Sequence, residues 1–212
     1  MTSAVNLSSI YAGLTPEHAR SLRFYREHAH SYFESTAHLD LTHVRQQLTN
    51  KLAPGARVMD AGCGSGRDAK AFAEQGFDVY AFDASPELAQ MASAHSSLLV
   101  ASHTFDDLPQ VVLAQSFDAV WACSSLVHLD WAGQGRALGL LRDCLKPGGW
   151  LYANFKTGTS PETTEDGRQF HRATQVEVQD QLKKQGLHLQ ELWLTGSLRS
   201  ADVQWLNVLA TR

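Results

Sequence analysis

The residues of this chain that are best suited to chemistry begin with a glycine-rich turn behind an acidic residue. Residues 58–66 read Val-Met-Asp-Ala-Gly-Cys-Gly-Ser-Gly, so Asp60 precedes glycines at positions 62, 64 and 66. Glycine lets the backbone turn sharply and approach a ligand closely, because it carries no side chain. A strand that leads into a glycine turn and then a helix is typical of nucleotide-binding sites.

The glycine spacing separates several kinds of nucleotide site. A dinucleotide fingerprint requires Gly-x-Gly-x-x-Gly, whereas here the third glycine comes one residue early and Arg67 stands in its place. A P-loop requires Gly-Lys-Ser or Gly-Lys-Thr, and the sequence has neither. Asp60 repels a pyrophosphate and favours a ligand with an ammonium group, such as S-adenosylmethionine. For the motif alone, a turn that merely links a strand to a helix remains the alternative.

At these residues the chain resembles the class I S-adenosylmethionine-dependent methyltransferases. Asp60 to Gly66 matches the first motif of that family at every defining position, and the resemblance covers roughly residues 20–212. It is similar in particular to small single-domain members such as tellurite-resistance methyltransferases. The resemblance implies a cytoplasmic enzyme with S-adenosyl-L-methionine as cofactor and direct in-line displacement at the methyl carbon. In that reaction the protein mainly positions the nucleophile and excludes water.

Asp83 is the second anchor of the predicted cofactor site. It follows a predicted strand over residues 78–82, and an acid at the carboxyl end of a parallel strand can accept both hydroxyls of a ribose. The alternative is a helix cap, but Ser85 before Pro86 already supplies one. NAD-dependent enzymes use the same acid, so Asp83 supports an adenosine ligand in general.

The segment after the third predicted strand is where the resembling family holds the adenine. Phe105 is expected to line the ring and Asp106 to accept from its amino group. Because Asp106 and Asp107 are adjacent acids, the register is open by one residue. An acidic turn that caps a short helix is the alternative interpretation.

The predicted fourth strand, residues 117–122, leads into the expected position of the reacting methyl group. Backbone groups around Ala122 and Cys123 are expected to meet the methionine part of the cofactor. Ser124 and His128 fall on the active-site side, and His128 is a candidate general base. A structural role for this histidine at a helix start is the alternative. Beyond the next strand, residues 157–170 form a polar loop expected to be a lid or a substrate contact.

Aromatic residues before the first strand are candidates for covering the cofactor. Tyr25, Tyr32 and Phe33 recur at helical spacing, and in similar enzymes a tyrosine-bearing segment folds over the site. Core packing is the alternative. The predicted cofactor-binding set is Tyr32, Asp60, Gly62, Cys63, Gly64, Arg67, Asp83, Ala84, Phe105, Asp106, Ala122 and Cys123.

Alternating strands and helices must position these residues. Strands are predicted over residues 56–61, 78–82, 98–101, 117–122, 150–156, 187–194 and 203–210. Residues 195–202 are too few for a parallel crossover, so the last strand is predicted to be antiparallel. The predicted fold is α/β and Rossmann-like, with three layers, a seven-stranded, mostly parallel sheet and helices on both faces.

The chain of 212 residues is predicted to form one methyltransferase domain. A helical segment over residues 1–53 is expected to cover the cofactor site, and residues 54–212 form the Rossmann-like core. One helical pattern begins at Pro16 with Thr15 as its cap and continues to Phe33. A second follows Asp40 and stops at Pro54.

Composition narrows the classes of partner. The net charge of −4 disfavours a nucleic-acid partner, and no apolar run is long enough to span a membrane. The 3 cysteines and 10 scattered histidines lack ligand spacing, so no metal is predicted. A short chain favours a small-molecule acceptor and a monomer or homodimer. A tRNA wobble-uridine methyltransferase, a non-catalytic S-adenosylmethionine-binding protein and an NAD-linked oxidoreductase remain alternatives.

Overall fold

A computed structural model of the chain describes residues 15–159 and 161–212. Three helices precede the first strand: α1 (Pro16–Glu27), α2 (Ala29–Thr36) and α3 (Thr42–Thr49). As predicted, Thr15 caps α1, and its hydroxyl accepts from the amide of His18 at 3.2 Å. The single helix predicted to run up to Phe33 is wrong, because the backbone leaves the helical region at His28 (φ −117°, ψ 24°) and α2 starts anew. Residues 1–14 of the predicted N-terminal segment lie outside the described residues.

Strands and helices then alternate through the middle of the chain, as predicted. In order they are β1 (Arg57–Ala61), α4 (Arg67–Glu74), β2 (Asp78–Asp83), α5 (Pro86–Ser96), β3 (Val100–Ser102), α6 (Leu108–Val111), β4 (Phe117–Ala122), α7 (Trp131–Cys144) and β5 (Leu145–Thr157). Short 3₁₀ turns at Phe105–Asp107 and Leu126–His128 precede α6 and α7. Residues 146–149 belong to β5, whose register against β4 shifts there.

The remaining elements complete the sheet and add a hairpin. They are β6 (Glu162–Thr163), β7 (Gln169–Phe170), β8 (Arg172–Ala173), α8 (Gln175–Lys184), β9 (His188–Gly196) and β10 (Gln204–Thr211). Strands β6 and β7 pair with each other as a separate two-stranded sheet. The polar loop expected over residues 157–170 therefore contains regular structure.

The central sheet has the strand order β3-β2-β1-β4-β5-β10-β9, with short β8 pairing beside the end of β5. Strands β1 to β5 run parallel, whereas β10 is antiparallel to both β5 and β9. The loop-length argument for an antiparallel last strand is thus confirmed. The strand order reverses between β1 and β4, and ligands of open α/β sheets bind at the carboxyl ends of the strands at such a point.

Burial of the middle strands explains their apolar sequences. Strands β1, β4 and β5 are covered on both faces, as parallel strands between helix layers usually are. Trp121 and Tyr152 stack at 3.9 Å between ring centroids within this core. Among the described residues, no helix has both the length and the apolar character needed to cross a bilayer.

Candidate active site

The glycine-rich turn between β1 and α4 packs tightly against two neighbours. Gly62 and Gly66 have φ of 76° and 74°, which side-chain-bearing residues rarely adopt. A Cβ added at Gly62 would lie 2.6 Å from Cβ of Ser125, and one at Gly66 would lie 2.9 Å from Cβ of Ala92. The glycines are therefore required both by backbone conformation and by packing.

Asp83 holds the glycine turn from the end of β2. One carboxylate oxygen accepts from the amide of Gly64 at 2.8 Å, and the other accepts from the amide of Ser85 at 2.9 Å. Burial raises the pKa of Asp83 to about 6. Ser85 caps α5 as predicted, because its hydroxyl accepts from the amide of Leu88. Since a carboxylate has about four acceptor positions, Asp83 keeps capacity for the two hydroxyls of a ribose.

Asp60 is a buried carboxylate with one unused oxygen. The residue is 2% exposed, and Oδ2 has no hydrogen-bond partner among the described residues. Burial raises the pKa of Asp60 well above its usual range, and the nearby Asp68 adds to the rise. A buried, unpaired carboxylate is costly, so a cationic ligand group beside Oδ2 would relieve that cost.

A second buried carboxylate, Asp68, forms a network that the sequence did not reveal. It accepts from Nη1 of Arg45 at 2.7 Å, from Nε1 of Trp121 at 3.0 Å and from Nη2 of Arg67 at 2.6 Å. Burial opposes its ionisation, but Arg67 and Arg45 hold its pKa below the usual value. The network ties α3, α4 and β4 together beneath the glycine turn.

A cavity of about 400 Å³ opens at the carboxyl ends of the parallel strands. Helices α1 and α2 close one side of it through residues such as Tyr25 and Tyr32. Most of the predicted site residues line this cavity: Tyr32, Asp60, Gly62, Cys63, Gly64, Arg67, Asp83, Ala84, Phe105, Cys123, Ser124 and His128. Two do not. The side chain of Ala122 is buried in the core, and Asp106 lines a smaller neighbouring groove.

The adjacent acids after β3 have different surroundings. Asp107 accepts from the amide and the hydroxyl of Thr104, both at 2.8 Å, and completes a capping box. The capping alternative is thus realised by Asp107. Asp106 is exposed beside Phe105, which lines both the cavity and the groove. Its role toward an adenine stays a prediction.

Tyr32 lies directly against the glycine turn. A Cβ added at Gly64 would be 3.3 Å from Cε1 of Tyr32. The ring also makes an edge contact with Tyr25, with 4.9 Å between centroids. Burial raises the pKa of Tyr32, so its hydroxyl stays neutral and can donate to a ligand.

His128 lines the cavity with both ring nitrogens already hydrogen-bonded. Nδ1 lies 3.1 Å from the carbonyl oxygen of Gln169, and Nε2 lies 2.8 Å from the hydroxyl of Tyr25. Because a carbonyl only accepts, Nδ1 carries the hydrogen and Nε2 accepts from Tyr25. Burial lowers the pKa of His128 to about 3. The imidazole is therefore neutral, and Tyr25 must give way before Nε2 can take a proton from another group.

The turn after β4 is held by a side chain of β5. Ser124 has φ of 57°, and its amide donates to Oδ1 of Asn154 at 2.6 Å. Nδ2 of Asn154 donates to the Ser124 hydroxyl at 3.4 Å. Asn154 is buried at the cavity wall, so it fixes the conformation of the segment predicted to meet the methionine part of a cofactor.

The β6–β7 hairpin packs over the cavity and against α1. Arg168 pairs with Asp166 at 2.6 Å and lies over the ring of Phe24. Lys156 at the end of β5 pairs with Glu162 at 3.2 Å and lies 3.7 Å from the ring centroid of Phe170. These ion pairs fix the hairpin beside His128.

The connection between β9 and β10, residues 197–203, completes the cavity wall. Asn207, which interrupts an apolar strand, accepts from the hydroxyl of Tyr152 at 2.7 Å and donates to Thr195 at 3.0 Å. Its amide is thus satisfied internally. Arg199 in the connection lies 5.7 Å from the ring centroid of Tyr32.

Fold and site together define a Rossmann-like protein of the methyltransferase type, with a glycine turn flanked by two acids. The sequence model of the family described as "Methyltransferase domain" matches residues 25–191, and the chain belongs to that family.

Individual relatives agree with this assignment. Ubiquinone biosynthesis O-methyltransferase of Xanthomonas campestris pv. campestris (strain B100) is 38% identical over 106 residues, which are 47% of this chain and 42% of that protein. The chain thus matches less than half the length of that relative. The protein of the same name from Xylella fastidiosa (strain 9a5c) is 29% identical over 175 residues, 72% of this chain and 70% of that one.

A solved structure shows the same fold. The 1,6-didemethyltoxoflavin-N1-methyltransferase of Burkholderia thailandensis, with bound 1,6-didemethyltoxoflavin and S-adenosylhomocysteine, superposes with a TM-score of 0.74. The identity is 18%, and the superposition covers 100% of this chain and 91% of that one.

Proposed function

We propose that this protein is an S-adenosylmethionine-dependent methyltransferase that acts on a small-molecule acceptor. The observation that carries the proposal is Asp60, a buried carboxylate at the cavity wall whose Oδ2 has no hydrogen-bond partner among the described residues. An ammonium group is the ligand chemistry that satisfies it. Asp83 and Phe105 offer the acceptor and aromatic surfaces that an adenosine requires.

The residues around the cavity would act mainly by positioning. When bound, S-adenosylmethionine supplies a methyl group on a sulfonium, which needs little further activation. Asp60 holds the amino-acid part, Tyr32 covers the glycine turn, and Asn154 fixes the turn at Ser124. Aligning the acceptor with the methyl carbon and excluding water then supply most of the acceleration.

A small acceptor is supported by the enclosure of the cavity. The β6–β7 hairpin, α1 and the β9–β10 connection line its sides, and a concave site of this kind suits a small ligand. The relatives named for ubiquinone biosynthesis are O-methyltransferases, which supports an oxygen of a small molecule as the methylated atom here. The cavity beside His128 is open to a ligand, which also favours a catalytic role over binding of the cofactor alone.

Calorimetry with S-adenosylmethionine, S-adenosylhomocysteine and NAD tests the cofactor. We expect both S-adenosyl compounds to bind and NAD to give no heat. The variant Asp60→Asn should lower the affinity for S-adenosylhomocysteine by about 10-fold to 100-fold, which is the effect expected for the loss of one charge-assisted hydrogen bond. Asp78→Asn, at an exposed ion pair with Arg57, serves as the matched control. NAD binding without S-adenosylmethionine binding would overturn the proposal.

A further inference from the structure

Charged residues are unevenly distributed around the cavity. Among the described residues, the carboxylates that line it are Asp60 on β1, Asp68 at the start of α4 and Asp83 on β2; we call these residues the acidic wall. The lining cations of the later strands and loops are Lys156 on β5, Arg168 on the hairpin and Arg199 in the β9–β10 connection; we call these residues the basic wall. A cationic cofactor suits the acidic wall, so the basic wall faces whatever else the cavity binds.

The cations that line the cavity differ in whether they form ion pairs. Arg67 pairs with Asp68, Lys156 with Glu162 and Arg168 with Asp166. Within the part of the chain that the structure describes, the Arg199 guanidinium has no carboxylate within 4 Å and lies 5.7 Å from the centroid of the Tyr32 ring. Among the described residues that line the cavity, its guanidinium is therefore the cation without an ion-pair partner.

The surroundings of Arg199 suit a ligand with both apolar and anionic parts. Leu198, Val203 and Trp205 line the same end of the cavity, and Trp205 pairs in register with Lys156 across β10 and β5. Planar apolar surface beside a guanidinium is the usual setting for a carboxylate-bearing small molecule, because the guanidinium fork matches the two carboxylate oxygens.

We propose that the basic wall binds a methyl acceptor that carries a carboxylate, and that Arg199 receives that carboxylate. This inference rests on the proposed methyltransferase function. The α-carboxylate of the cofactor is the competing ligand for Arg199. Arg67 is better placed for that group, since it directly follows the glycine turn, lines the cavity and keeps Nη1 without a hydrogen bond to a described residue. Arg199 thereby remains for the acceptor.

The test measures binding to the protein saturated with S-adenosylhomocysteine. Acetate, benzoate and 2-naphthoate are titrated by calorimetry, each beside its neutral amide. We expect benzoate or 2-naphthoate to bind at least about 10-fold more tightly than its amide, because one charge-assisted pair is worth that much. If none of the three carboxylates binds more tightly than its amide, the inference is overturned.

Substitutions then assign the preference to one side chain. Arg199→Gln should abolish the preference for the carboxylate over the amide and leave the dissociation constant of S-adenosylhomocysteine within about 2-fold. Arg199→Lys should keep part of the carboxylate preference. Arg23→Gln, an exposed arginine outside the cavity lining, should change neither. Circular dichroism confirms that each variant is folded.

The two proposals fail in different ways. If Arg199→Gln leaves the carboxylate preference intact, or weakens the binding of S-adenosylhomocysteine instead, Arg199 does not bind the acceptor carboxylate and the inference is overturned. If the unsubstituted protein does not bind S-adenosylhomocysteine, the proposed function itself falls and the inference falls with it.

Discussion

The acidic and basic walls of the cavity are built in different ways. The acidic wall comes from one stretch of chain between Asp60 and Asp83. Asp83 bonds to the nearby amides of Gly64 and Ser85, whereas Asp68 bonds to the distant Arg45 and Trp121. The basic wall combines β5, a hairpin and the β9–β10 connection, and ion pairs hold Lys156 and Arg168 in place. The carboxylates of the proposed donor site thus come from one stretch of chain, whereas the proposed acceptor site is assembled from three separate segments.

The largest effect is expected in the acidic wall, at Asp68. Asp68→Asn leaves the buried Arg45 and the half-buried Arg67 without their full counter-charge, so the free energy of unfolding should fall by about 3–5 kcal/mol. Denaturant unfolding measures the loss. Asp78→Asn breaks only an exposed pair and should cost less than about 1 kcal/mol. Equal losses in the two variants would show that the buried network does not support the wall.

On the opposite side, His128 is expected to affect turnover and not cofactor affinity. The substrate for this test is a carboxylate compound that the enzyme methylates. His128→Ala should lower kcat by about 100-fold, the low end of the effect of a general base, because a histidine with a pKa of about 3 is a weak base. The dissociation constant of S-adenosylhomocysteine should stay within about 2-fold. Tyr25→Phe removes the donor on Nε2 and serves as the comparison. Unchanged turnover in His128→Ala would retire this residue as a base.

A smaller effect is expected from the packing of the glycine turn. In Gly66→Ala the new Cβ meets the backbone and Cβ of Ala92 at 2.9–3.0 Å, so stability should fall by about 2 kcal/mol. Gly76 has φ of 85° but nothing within 4 Å, so Gly76→Ala isolates the cost of the backbone conformation alone. Thermal unfolding of both variants separates the two contributions. Matching losses would mean that contact with α5 is unimportant.

The smallest effect is a pH dependence set by Asp83. Its pKa is raised to about 6 in the folded protein, above its unfolded value, so the folded state binds this proton more tightly. The contribution of Asp83 to the stability of the unliganded protein should therefore increase as pH falls from 7 through 6 toward 4. S-adenosylhomocysteine affinity should change in the opposite direction, because a protonated Asp83 loses acceptor capacity for a ribose. Titrations between pH 5 and 8, with Asp83→Asn as reference, measure both trends.

The sequence predicted what depends on neighbouring residues. The glycine turn, the cap at Ser85 and the antiparallel β10 each follow from a few adjacent positions or from a loop length, and the structure has all three. The position of Asp83 at the edge of the sheet was predictable, because the carboxyl end of a parallel strand fixes where its last residue lies.

The rest depended on contacts between distant residues. Arg45, Asp68 and Trp121 meet only after folding, and nothing in their spacing indicates it. The capping role of Asp107 came from its bonds to Thr104, while the role of Asp106 toward an adenine stays a prediction. The break at His28 was hidden because the apolar periodicity of α1 and α2 continues across it.

The antiparallel β10 has a consequence for how this protein could acquire new substrates. Residues 197–203 join two strands that are paired along most of their length, so the connection can lengthen, shorten or change residues while both of its ends stay anchored. The glycine turn lies between β1 and α4, so such changes in the connection would leave its conformation unchanged. Substrate range could therefore diverge through one short segment while the methyl-donor site is inherited intact.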